Sequence, residues 1–99
     1  MTVEVQYNNL NEIDGSIRLT IRGTANFIVA RRIARNTVHV LDEVVADANK
    51  SQGYGQELVE ALLQECVNQG VSRVEIKENQ NPSWWERAKG FRNGHLLKT

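Results

Sequence analysis

The apolar residues of this chain change their period once, and that change limits the fold more than any other feature of the sequence. In the first half they alternate: Val3, Val5 and Tyr7, then Ile17, Leu19 and Ile21, then two further runs at about 25–33 and 37–46. A period of two belongs to strands with one buried face. From Gln56 the spacing becomes helical, with Leu58, Val59, Leu62, Leu63, Cys66 and Val67 on one face and Gly70 at the position of a C-terminal stop. Val74 and Ile76 then return to alternation. Asp14-Gly15 and Arg35-Asn36 are turn signals between the early strands.

Four strands joined by short connections form an antiparallel meander, and a strand–helix–strand unit sets the fourth and fifth strands side by side and parallel. With 99 residues, one domain spanning 1–99 is the expectation. Asn81-Pro82-Ser83 opens a short helix over 84–89, stopped by Gly90, and 91–98 supplies one last strand. The expected class is α/β (α+β), a mixed and mostly antiparallel sheet with one long and one short helix.

Twelve basic and twelve acidic side chains cancel, which excludes a histone-like polycation. Their distribution is uneven: residues 15–41 hold Arg18, Arg22, Arg31, Arg32 and Arg35 and no acid, so one region of the surface is expected to be positive. Aromatic interleaving there is limited to Phe27, which argues against nucleic acid as the partner. Cys66 is the single cysteine, and no Cys and His spacing suits zinc, so no metal and a reducing, cytoplasmic setting are expected. No leader and no membrane-spanning apolar run is visible.

The segment with chemical promise is Lys50-Ser51-Gln52-Gly53-Tyr54-Gly55-Gln56, between the fourth strand and the long helix. Two glycines one residue apart let backbone amides turn inward, and with a helix N-terminus they form a cup for an anion such as phosphate. An ordinary glycine-containing turn is the competing reading. The nucleotide-triphosphate loop and the longer dinucleotide fingerprint are both absent.

Taken in order, Val44-Val45-Ala46-Asp47, this loop, the helix to Gly70, Val71 to Ile76, Asn79 to Pro82 and Trp84-Trp85-Glu86-Arg87-Ala88-Lys89-Gly90-Phe91-Arg92 resemble the GNAT superfamily of acyl-CoA-dependent N-acetyltransferases. The resemblance covers about 38–92. Lys50 stands where the family pattern Gln/Arg-x-x-Gly-x-Gly/Ala begins. The resemblance implies that amides of Gln52, Gly53, Tyr54, Gly55 and Gln56 hold the pyrophosphate of coenzyme A, with Lys50 beside them. It implies that the fourth and fifth strands splay apart and that the pantetheine arm lies between them, against Val44, Val45 and Ala46. Asn79 and Trp85 fall on the cofactor side in the same comparison.

The reaction so implied is attack of an amine on the thioester of acetyl-CoA, which calls for a proton acceptor. Simple alternation puts His39 and Glu43 on one face of the fourth strand, with Glu43 the preferred base and His39 the second. Trp85 occupies the place of the family's usual acidic tyrosine, and an indole N–H cannot supply a proton at neutral pH. Family helices between the first two strands are missing, which opens the acceptor side and exposes a sheet edge. A homodimer or a partner protein covering that edge is therefore expected. A non-catalytic acyl-CoA-binding module and an interaction protein using the arginine-rich region remain the alternative functions.

Overall fold

The computed structural model describes residues 3–44, 53–76, 91–92 and 95–96. Strands β1 (Val3–Asn8), β2 (Ser16–Ile21), β3 (Phe27–Ala34) and β4 (Thr37–Val44) precede α1 (Tyr54–Asn68) and β5 (Arg73–Glu75). Two short strands follow, β6 (Phe91–Arg92) and β7 (His95–Leu96). All seven lie in one sheet of order β1-β2-β3-β4-β5-β7-β6, with β4 and β5 parallel and the other neighbours antiparallel. The meander, the crossover helix and the parallel pair follow the hydrophobic periods. The chain end differs: Phe91 pairs with Leu96 and Arg92 with His95, so the segment folds back on itself and presents β7 to β5. Two strands stand where one was expected. The short helix expected over 84–89 lies outside the described residues.

Among the described residues, the core lies on one face of the sheet. Ile17, Leu19 and Ile21 of β2, Ile28 and Ala30 of β3, and Val38 and Val40 of β4 are buried together with Leu58, Val59, Leu62, Leu63 and Cys66 of α1. Each fully buried leucine or isoleucine contributes about 1.5–3 kcal/mol. Residues 9–15, which join β1 to β2, hold no helix. Their largest contribution is Leu10, fully buried in the same cluster. The connection is tight enough that a Cβ on Gly15 would lie 1.8 Å from the Asn9 carbonyl oxygen. Only glycine fits there.

The end of α1 is secured from two directions. Gly70 adopts φ 73°, and the N–H groups of Gly70 and Val71 donate to Val67 and Cys66 carbonyls at 3.1 and 2.9 Å, a Schellman closure with Val71 buried behind it. Arg32 supplies the second fastening. Its buried guanidinium donates to the carbonyls of Leu10 (2.7 Å), Arg35 and Gln69 (3.3 Å), so one cation joins the β1–β2 connection, the β3–β4 turn and the helix exit. A cation beside helix-terminal carbonyls is favoured by their partial negative charge.

Candidate functional site

The site is organised by an irregularity in β4. Val29 and Ala30 are consecutive in β3, yet their partners are Asp42 and Val40, so Leu41 is an extra residue outside the ladder. Such a bulge reverses the alternation of everything beyond it. Before it, Val38 and Val40 face α1 and His39 faces away, opposite Arg31. After it, Glu43 stands opposite the buried Ile28 and so faces the side that α1 covers, while Asp42 shares the face of His39. The expectation that His39 and Glu43 project together is therefore corrected. Regular alternation cannot survive one inserted residue, and nothing in the local sequence marks Leu41 as that residue.

The bulge lies just past the last described rung between β4 and its parallel neighbour. The β4–β5 ladder runs through Thr37–Arg73, Val38–Val74 and His39–Glu75 and stops. From Val40 to Val44, β4 has no partner on that side among the described residues. Val44 ends the strand half-open to solvent, paired with Phe27. Val45, Ala46, Lys50, Gln52, Asn79 and Trp85 lie outside the described residues.

Beyond that segment, α1 begins without a side-chain cap. Gly53 is its N-cap residue at φ 77°, a left-handed conformation, and a Cβ there would meet nothing within 4 Å. The first intrahelical bond, from Glu57 N–H to Gly53 O at 3.1 Å, leaves the N–H groups of Tyr54, Gly55 and Gln56 with no acceptor inside the helix. These donors form the positive end of α1. The glycine provides the bend and an open approach to them. Tyr54 is the first helical residue and packs against the core, and Gly55 is buried. The Gln56 side chain donates to Glu60 Oε1 at 3.2 Å, which leaves its backbone amide as the contribution to the cup. Glu57, in the same first turn, has a buried Oε2 with no hydrogen-bond partner among the described residues.

On the face away from α1, His39 Nδ1 lies 3.7 Å from Glu75 Oε2, and Arg73 Nε donates to Glu75 Oε1 at 3.1 Å. Sequence reading missed Glu75. The available signal was the parallel crossover, which brings some β5 residue beside His39, but register is not readable from period alone. Four of the five arginines expected to make one surface region positive are engaged by other groups. Arg32 is buried, Arg31 donates to Asp14 at 2.9 Å, Arg22 pairs with Glu4, and the Arg18 guanidinium lies 4.1 Å over the Phe27 ring. Acids just outside the arginine-rich stretch return to it through strand pairing.

Cys66 is buried beneath the sheet, and desolvation pushes its thiol up to about 12, with Glu65 adding to the rise and Arg32 opposing it. That excludes a thiolate nucleophile near neutral pH. Among the described residues, no group of three His, Cys, Asp or Glu side chains could hold a metal ion, and no helix is long and apolar enough to cross a membrane.

The model of the acetyltransferase (GNAT) family matches residues 3–91, and the chain belongs to that family. Among solved structures it is similar to Ard1 from Thermoplasma volcanium, with a TM-score of 0.61 and 24% identity over 77% of this chain and 54% of that one. The chain thus spans about half the length of that relative. No curated protein matches it in sequence.

Proposed function

We propose that this protein is an acetyltransferase that moves the acetyl group of acetyl-CoA to an amine. The observation that carries this reading is the pairing of two features in a member of this family: the length of β4 from Val40 to Val44, which has no partner on its β5 side among the described residues, and the glycine-led start of α1. The first offers backbone groups to an extended amide-bearing arm, as a neighbouring strand would. The second offers three N–H groups and a helix dipole to a pyrophosphate. Gly53 suits this role on its own geometry, because its left-handed backbone favours glycine and a Cβ there would meet no described atom within 4 Å. Acetyl-CoA would supply the activated thioester carbonyl, and coenzyme A would leave as the thiol. Val44, Gly53, Tyr54, Gly55 and Gln56 would hold the cofactor, with Val45, Ala46, Lys50, Gln52, Asn79 and Trp85 completing the contacts.

An attacking amine must shed a proton, and the bulge turns the choice of base into a choice of face. Glu43 serves an amine arriving on the α1 side and His39 one arriving on the other. The core occupies the α1 side behind β4, whereas the His39 side chain, on the other face, is 27% exposed. Comparison of Glu43→Gln with His39→Gln in a thiol-release assay separates them: the base variant loses turnover by about 100-fold or more while keeping its affinity for acetyl-CoA.

Titration calorimetry with acetyl-CoA and with free coenzyme A, followed by thiol release against a panel of amines, tests the whole reading. Binding with turnover is the expected result. Binding without turnover by any amine would identify a coenzyme A-binding module instead, and absence of binding to the folded chain would refute the cofactor site.

A further inference from the structure

The last described rung of the β4–β5 ladder joins His39 to Glu75, and beyond it β4 has no partner on that side among the described residues. Residues paired across parallel strands project from the same face, so this rung sets an imidazole beside a carboxylate. Arg73, two residues before Glu75 in β5, returns to that face and takes Oε1 at 3.1 Å, leaving Oε2 directed at His39 Nδ1, 3.7 Å away. Arg31, the β3 neighbour of His39, is turned to Asp14, and Asp42 accepts the Glu43 backbone N–H at 2.9 Å. The imidazole is half-buried, its side chain 27% exposed.

A carboxylate can only accept, so Glu75 favours a proton on Nδ1 and leaves the lone pair on Nε2, at the far side of the ring. At 3.7 Å the two groups are in ionic contact and short of a hydrogen bond, and catalytic contacts often tighten to bonding distance only when substrate binds. We propose that Glu75, braced by Arg73, is a positioning residue that holds His39 in the Nδ1–H tautomer, so that Nε2 accepts the proton of the attacking amine. The proposal rests on the acetyltransferase reading. In the step it serves, the amine nitrogen forms a bond to the acyl carbon and the carbon–sulfur bond breaks with its electron pair going to sulfur. The proton lost by nitrogen passes to Nε2, and from there to the released thiolate or to water.

Long-range proton–nitrogen spectra of the chain labelled with 15N-histidine test it, at a pH where the imidazoles are neutral and with His39→Gln used to assign the ring. The parent is expected to show His39 with Nδ1–H, and Glu75→Ala to show the Nε2–H form that histidine prefers in water. In the same Glu75→Ala protein, kcat for amine acetylation should fall by roughly tenfold or more with the KM for acetyl-CoA little changed. Glu75→Gln keeps an acceptor oxygen and should recover the Nδ1–H tautomer and part of the rate, and it also serves if the alanine variant is poorly folded. An Nε2–H ring in the parent, or an unchanged kcat in Glu75→Ala, overturns the proposal. A parent that turns over no amine at all overturns the reading beneath it, a result distinct from loss confined to the variants.

Discussion

At the scale of single residues, the glycines divide by what surrounds them. Gly15 is confined by the Asn9 carbonyl, so Gly15→Ala forces the β1–β2 connection open and should lower stability by roughly 1–3 kcal/mol or more in urea unfolding. Gly53 has space but a left-handed backbone, so Gly53→Val costs about 1–2 kcal/mol locally while placing a branched side chain over the amide cup. Coenzyme A affinity measured by calorimetry should fall far more than the melting temperature of that variant. Cys66 gives a pH dependence whose sign follows from burial. Its thiol ionises near 9.0 in the unfolded chain and about 12 in the folded one, so its stabilising contribution is full below pH 9. As pH rises between those values the unfolded state alone loses the proton, and stability falls by about 1.4 kcal/mol per pH unit. Unfolding of Cys66→Ala across the same range should lack that component.

Among the elements, β2 and α1 were legible because their patterns are regular. Ile17, Leu19 and Ile21 alternate without interruption and are all buried, and the helical set from Leu58 to Cys66 makes up the face that packs on them. Gly70 stops α1 as its position suggests, and the helix begins two residues before Gln56. β4 was half legible. Its first part reads correctly, but the extra residue Leu41 reverses the second, because a bulge is chosen by the fit of two strands and not by local propensity. The placement of Arg32 was hidden for a related reason: three carbonyls from distant segments satisfy it, and none leaves a mark in the sequence. Arg32→Met keeps most of the volume and removes the donors. A stability loss of about 1–3 kcal/mol is expected by chemical denaturation, since the buried Leu10 carbonyl would lose its donor and those of Arg35 and Gln69 theirs at partly buried positions.

For the whole molecule, the sheet order leaves β1 with a single neighbour among the described residues, and Val5 and Tyr7 on it are 55% and 41% exposed. An apolar, unpaired edge invites another strand. A dimer in light scattering at micromolar concentration is the expected outcome, and Val5→Lys should shift it toward monomer. The fold as a layered arrangement was readable from the change of period, whereas the site was readable only in its glycine loop. The rest of the site depends on which strand positions meet, and register is a property of the assembled sheet.

The two ends of α1 are built to opposite standards. One is closed by paired backbone bonds, a buried valine and the Arg32 clasp; the other rests on a glycine with no side-chain cap. Local opening of the helix should therefore begin at the end proposed to meet the cofactor and spread backwards. In native-state hydrogen exchange, amides at 54–57 are expected to exchange long before those at 62–71, and added coenzyme A should slow the first group while leaving the second almost untouched.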